Sequence, residues 1–299
     1  MTKFLKIVAI VLGLAVVGVG GYLYYLYDSA KDAAHEMHEK IEVDKPKPII
    51  TGKEEDLKPI SIMLLGVDER EGDSGRSDTI VIIAVDPKDD KMLMFNIPRD
   101  TRTEIIGKGK DDKINHAYAF GGTQMAMDTV ENFLDTPIDY YVKVNMESFK
   151  QIVNAVGGVE VNNPFAFKAE NYSFPKGKQE LNGDEALAYS RMRYEDPQGD
   201  RGRNNRQRQV ITSIINKGAR VSSILKIDNI LEILGDNVKT NMTFDEMKYI
   251  QKNYKSARRN IKSTEVKSSG TMIGGTYYGI VDDAEKERLH QLLNEYLSE

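Results

Sequence analysis

The chain has 299 residues and no cysteine, so disulfides and thiolate-bound metals are excluded. It must be held by an apolar core, and its length and 40% hydrophobic content are enough to build one. The phosphate loop GxxxxGK[ST], the GxSxG nucleophile elbow and the zinc motif HExxH are also absent, and their chemistries lack a carrier here. Positive charge is not in excess either: 41 Lys and Arg face 46 Asp and Glu, for a net charge of −5, which argues against a nucleic-acid surface. Histidine is scarce. His35 and His38 lie one helical turn apart with no third ligand nearby, which fits a solvated face better than a metal site. His116, beside Tyr118, is expected to hydrogen-bond rather than to catalyse. No internal repeat occurs.

Against this acidic background, six arginines crowd into residues 190–209, SRMRYEDPQGDRGRNNRQRQ. The second half of that stretch reads as the start of a helix continuing through Val210, Ile211, Ile214 and Ile215. At about 100° per residue, Arg203 and Gln207 fall on the stripe of Val210 and Ile214, with Arg206 at its edge. Arg201 and Arg208 share another face. A guanidinium on an apolar stripe points toward a pocket, and burying it without an anion is costly. The spacing therefore predicts a multiply anionic ligand; the alternative is a solvated basic helix end. Arg191 and Arg193 can act on one ligand only if they are extended, since on a helix they would point about 200° apart.

Residues 7–27 form an uncharged run preceded by Lys3 and Lys6 and followed by Asp28. Such a run, as a helix, spans a hydrocarbon core of about 30 Å. The lysines place residues 1–6 on the cytoplasmic side and the bulk of the chain outside, in a single-pass cell-membrane arrangement. Tyr22, Tyr24, Tyr25 and Tyr27 gather at the far end, suited to the headgroup region. An uncleaved signal-anchor is the reading; a cleavable signal peptide would have a shorter apolar core and a small-residue cleavage site. Residues 28–60, rich in Lys, Glu and Pro, read as an extracellular stalk, with a helix expected over 30–40.

Residues 61–299 read as one α/β domain, a central and mostly buried sheet between helices (α-β-α). The runs at 61–67 (SIMLLGV), 79–85 (TIVIIAV) and 91–97 suit strands covered on both faces, and 140–144 and 159–161 suggest two more. One helix is expected after Gly121-Gly122, capped by Thr123, and another from Phe149 to the stop at Gly157-Gly158. A short helix is expected over residues 183–189. Asp282 and Glu285 are placed for a capping box before a C-terminal helix.

Asp68 follows the first strand and Asp78 opens the second, so neighbouring strands would bring both carboxylates to one sheet edge. They would suit a hard cation that also takes phosphate oxygens, or else serve as turn formers and partners of Arg70 and Arg76. Arg99 emerges where Pro98 ends the third strand, with Asp100 able to hold it or to accept a proton.

The ordered motifs LLGVDER, RSDTIVIIAVDP, NIPRDTR, KINHAYAFGG, YYVKVNMESFKQIVNAVGGVEV, LNGDEALAYSRMR and GDRGRNNRQRQVI resemble the LytR-CpsA-Psr family over about residues 61–215. Within it the chain looks most like the teichoic acid transferases of Gram-positive bacilli. The resemblance implies a phosphotransferase that takes a polyprenyl-pyrophosphate-linked anionic glycopolymer, wall teichoic acid above all, to the C6 hydroxyl of N-acetylmuramic acid in peptidoglycan. Polyprenyl phosphate leaves. By motif, Asp68 and Asp78 correspond to the positions associated with Mg²⁺, or Mn²⁺ in its place. Arg76, Arg99, Arg191, Arg193, Arg203 and Gln207 fall on pyrophosphate-contacting positions. Arg206 and Asp200 belong to the same motif, and Arg102 and Lys113 are further candidates for the phosphate end. Arg99, Asp78 and Arg203 carry the expected catalytic roles. Asp78, Asp100 and Asp200 all stay open as the base. Glu69 departs from the family pattern, where many members have serine. The other activities considered are hydrolysis of the same lipid pyrophosphate and a non-catalytic membrane-anchored binding or regulatory module.

Overall fold

A computed structural model describes residues 24–41, 57–68, 75–218 and 238–298. Of the expected membrane span over 7–27, residues 7–23 lie outside the described part. Among the described residues no helix is long and apolar enough to cross a membrane.

A six-stranded mixed sheet forms the centre. Its strands are β1 (Ile60–Val67), β2 (Ser77–Asp86), β3 (Lys91–Ile97), β6 (Tyr140–Asn145), β11 (Val238–Thr240) and β12 (Ile261–Ser263), in the order β11-β6-β1-β2-β3-β12. β1 pairs antiparallel with β2 and parallel with β6, and β2 pairs antiparallel with β3. Side chains alternate across a strand, and here both faces are covered. Met63, Leu65, Ile80, Ile82, Leu93 and Phe95 pack on one side against the helices α2 (His116–Leu134) and Asp283–Leu297. Ile60, Val81, Ile83, Val85 and Met94 face the other side, toward Ile211 and Ile215 of α5 (Asp200–Gly218) and Ile250 of the Phe244–Asn253 helix. Double coverage is why these strands read as continuous apolar runs. The α-β-α arrangement is as expected.

Local punctuation follows the sequence, with two adjustments. Helical residues already start at His116, and the non-helical pair Gly121-Gly122, with Gly122 at φ 65°, kinks α2 before Thr123. Asp282 accepts the N–H of Glu285 at 2.8 Å, but the Glu285 carboxylate turns to Arg288 and the Lys267 N–H instead of closing the capping box. α3 (Met146–Ala155) is capped by Asn145 and stopped by Gly157 and Gly158, at φ 82° and 81°. Four two-stranded pairs decorate the rim: β4 (Arg102–Ile105) with β5 (Lys110–Lys113), β7 (Val159–Asn163) with β10 (Gly177–Leu181), β8 (Phe167–Ala169) with β9 (Tyr172–Phe174), and β13 (Ser269–Ile273) with β14 (Thr276–Ile280).

Part of the segment expected as an extracellular stalk packs on the domain. Residues 24–37 are helical (α1), and Ala34 and Met37 are buried with Val238 against Val142, Val144 and Met247. His38 continues the contact: its Nδ1 lies 3.1 Å from the Met242 carbonyl.

Candidate active site

The site grows from the ends of β1, β2 and β3 and the first turns of α5. Register between β1 and β2 slips at Gly66/Val67: Gly66 pairs with Thr79 but Val67 pairs with Ser77, which leaves Asp78 as an extra residue in β2. A bulge of this kind re-aims a side chain at a strand end. Asp68 and Asp78 both line the mouth of one cleft. The backbone ties them further, since the N–H groups of Asp68 and Asp78 both donate to the Arg76 carbonyl, at 3.2 and 3.1 Å.

Arg99, delivered past Pro98, donates to Asp78 Oδ1 at 2.8 Å and lies 4.0 Å from Asp100. Burial lowers its proton affinity, but Asp78, Asp100 and Asp200 more than offset this and raise it above the ordinary arginine value. Arg203 on α5 faces the same cleft and is 7% exposed. Its Nη2 lies 2.5 Å from Asp200 Oδ1, while its buried Nε–H finds no acceptor among the described residues. Burial pulls its pKa below the ordinary value; Asp200 opposes the shift, and the neighbouring positive charges of Arg99 and Arg193 add to it. A buried donor without an acceptor among like charges is a place for an anion.

Gln207, one turn further along α5, anchors the helix to the sheet. It donates to Thr79 Oγ1 at 3.0 Å and accepts from Asn96 Nδ2 at 2.9 Å. α4 (Gly183–Arg191) ends at Arg191, and Met192 is extended at φ −56°, ψ 135°. Arg191, expected to be extended, is instead the last residue of α4; the extended backbone at Met192 takes Arg193 off the helical path, and both arginines line the cleft.

Seven of the expected residues thus meet at one mouth: Asp68, Asp78, Arg99, Arg191, Arg193, Arg203 and Gln207. The others are placed elsewhere. Arg206 corrects the expectation that it faces the ligand: it is 1% exposed and turns into the protein. There it binds Asp196 at 2.5 Å, the Tyr189 carbonyl at 3.0 Å and the Met192 carbonyl at 2.5 Å. These bonds fix the backbone that presents Arg191 and Arg193. Arg102 pairs with Asp111 at 2.8 Å across the β4–β5 hairpin, and Lys113 with Asp100 at 2.6 Å. Arg76 is exposed and serves the mouth through its backbone carbonyl.

Behind the mouth the cleft continues as an apolar cavity between the sheet and the helices, and mouth and cavity together enclose about 760 Å³. Its walls come from Ile62, Leu64, Val142 and Val144 of the sheet, Phe149 and Ile152 of α3, and Ile211, Ile214 and Ile215 of α5. Sequence reading does not find this lining. The only local trace is that Ile62 and Leu64 alternate with fully buried neighbours yet stay half-buried themselves. It also missed Asn96, 2% exposed, which joins Gln207 to Arg208. A single buried asparagine in an apolar strand is the signal for it.

As a cation site, the mouth offers two carboxylates and hard oxygen donors. Among the described residues no group of three or more His, Cys, Asp or Glu could hold a metal by itself. A cation here would draw its remaining ligands from phosphate oxygens and water, as Mg²⁺ does. The donor set fits that ion once an anion is bound.

The comparisons agree with this geometry. The LytR_cpsA_psr family model matches residues 24–295. The polyisoprenyl-teichoic acid–peptidoglycan teichoic acid transferase TagU of Bacillus subtilis (strain 168) is 53% identical over 298 residues, 99% of this chain and 96% of that protein. Its counterpart in Halalkalibacterium halodurans is 47% identical over 303 residues, 99% of each chain. Among solved structures, the B. subtilis TagU crystal structure aligns with TM-score 0.67 at 51% identity, over 81% of this chain and 98% of that one. TagT bound to LIIa-WTA aligns with TM-score 0.72 at 27% identity, over 87% and 100%. With the family model matched from α1 to the C-terminal helix, and the motif residues gathered at a single cleft mouth, the chain belongs to the LytR-CpsA-Psr family.

Proposed function

We propose that the chain is a phosphotransferase that moves wall teichoic acid from a polyprenyl pyrophosphate carrier to the C6 hydroxyl of N-acetylmuramic acid in peptidoglycan, releasing polyprenyl phosphate. The supporting observation is one cavity of two characters, an apolar body and a mouth of four arginines and two aspartates. An amphiphile with a long hydrocarbon tail and a diphosphate head needs both. The names of the relatives, teichoic acid transferases at 47–53% identity, point to the same substrates.

The chemistry follows from the placement of charge. Arg99 and Arg203, beside Arg191 and Arg193, offset the diphosphate so that a neutral hydroxyl can approach phosphorus. The acceptor oxygen bonds the phosphorus that bears the polymer. The bond from that phosphorus to the bridging oxygen breaks, and the lipid phosphate leaves with it. The hydroxyl proton passes to a carboxylate, and among the described residues Asp78, Asp100 and Asp200 lie within 4.0 Å of Arg99 or Arg203. A loose transition state demands little of that base. Asp68 and Asp78 would hold Mg²⁺, which supplies charge stabilisation on the phosphate oxygens when bound. Lys3, Lys6 and the apolar run at 7–27 support placement on the outer face of the cell membrane.

The test is turnover of the purified full-length chain with a lipid-linked donor, with and without glycan acceptor, and with Mg²⁺ supplied or chelated. Polymer should become attached to the glycan only with acceptor present, and chelation should abolish this. Release of polymer with no attachment would make the chain a hydrolase and overturn the proposal.

A further inference from the structure

Residues 247–264 (MKYIQKNYKSARRNIKST) carry six cations, Lys248, Lys252, Lys255, Arg258, Arg259 and Lys262, and no acidic residue, in a chain whose net charge is −5. Five of the six are exposed, and Arg258 is half-buried. Ordinary roles cover single members only. Lys252 sits in the last turn of its helix, where a cation suits the dipole, and Lys262 guards the edge strand β12. Neither role explains six cations without one acid.

Two features point to what the strip faces. Lys248, paired with Asp245 at 2.8 Å, also lies over the rings of Phe244 and Tyr27, 4.7 and 5.3 Å from their centroids. Tyr27 closes the uncharged run at 7–27, so the strip begins where the chain leaves that run. Tyr24, Tyr25 and Tyr27 are 71%, 55% and 49% exposed there, as rings at a headgroup layer are. The strip also borders the apolar cavity at the end away from the aspartates: Ile250, Tyr254, Lys255 and Arg258 all line it. The buried Nε–H of Arg258 finds no acceptor among the described residues.

We propose that residues 247–264 seat the domain on anionic lipid headgroups, holding the cavity against the bilayer. The seat rests on the membrane placement proposed above but is separate from the anchor. A polybasic surface beside an anchoring segment gains about fivefold in surface affinity per cation and loses it with salt.

The absence of native cysteine allows a single-site probe. The full-length Asn260→Cys variant, labelled with a fluorophore, is placed in nanodiscs carrying a lipid-borne quencher. Quenching should be stronger in discs containing phosphatidylglycerol than in phosphatidylcholine discs. It should fall in 0.5 M salt and in the additional Lys255→Gln/Arg259→Gln/Lys262→Gln background. Incorporation without dependence on lipid charge overturns the seat alone. Failure to incorporate overturns the membrane placement and the seat with it. Quenching that responds to soluble teichoic acid polymer, but not to anionic lipid, reassigns the strip to the polymer and overturns the proposal.

Discussion

Arg203 and Arg206 lie three positions apart on one helix and have opposite fates. Arg203 shares the cleft mouth with Arg99 and Arg193 and has a buried donor with no acceptor among the described residues, while Arg206 is locked to Asp196 and two carbonyls. Their alanine variants should therefore separate. Arg203→Ala should lower turnover by about 10²–10³-fold, the usual cost of one preorganised charge-stabilising donor, with little change in the urea midpoint. Arg206→Ala leaves the Asp196 carboxylate, 2% exposed, without its partner. Breaking such a pair costs about 3–5 kcal/mol, which urea unfolding followed by circular dichroism would register. A turnover loss in Arg206→Ala that exceeds the loss of folded protein would contradict this division. That six arginines cluster was legible in the sequence; which of them line the cleft was not. A helix wheel places residues relative to their own axis, while the acceptors of Arg206 arrive from residues 189–196.

Helix α5 joins both halves of the site. Its first turns bring Arg203 and Gln207 to the mouth, and its later turns bring Ile211, Ile214 and Ile215 to the apolar wall. The stripe expected over Arg203, Gln207 and Ile214 is the one that faces the cavity, although Val210 belongs to the neighbouring cluster with Tyr189. Gly202 permits the close approach of Asp196, whose carboxylate occupies the space that a Cβ would need. Gly202→Ala should displace Asp196 and cost about 1–3 kcal/mol, as overpacking does. A calorimetric melting temperature equal to that of the parent chain would refute this. Ile214→Phe narrows the cavity wall, so the KM for a long-chain lipid donor should rise several-fold more than for a short-prenyl analogue. Equal changes for both donors would mean that the tail does not occupy this cavity. The cavity lining was illegible for a different reason: Ile62 and Leu64 look like core residues, and only the separation between sheet and helices leaves them lining a void.

The C-terminal helix closes the opposite layer and ties the fold to pH. Glu285, 6% exposed, takes Arg288 at 2.6 Å and the Lys267 N–H at 2.9 Å. Burial raises its pKa, but the bonds to Arg288 and Lys267 outweigh this and hold it below the ordinary glutamate value. A carboxyl depressed in the folded state stabilises fully above the unfolded value of about 4.3. That contribution is lost as pH falls through the lower folded value. Urea stability should therefore decline on the acid side of about pH 4, and more steeply in the parent chain than in Glu285→Gln. Parallel pH profiles for the two would show that Glu285 contributes nothing of this kind.

Strands β1 to β3, β6 and β7, the helices α3 to α5 and the C-terminal helix, the two-sided burial of β1 to β3 and the stock of cations and carboxylates were legible as local pattern, because periodicity of two or 3.6 and turn chemistry are properties of short stretches; the other rim strands and the Phe244–Asn253 helix were not. The family membership also rests on such stretches. Tertiary structure decided what depends on contacts distant in the chain. The bulge that aims Asp78 requires β1 beside β2, and the pairing of Arg206 with Asp196 requires the turn after α4 to fold back on α5. The packing of residues 24–37 on the domain requires β6 and β11 to be in place. An apolar cavity is the clearest case, for a void belongs to no residue and arises only from the distance between layers.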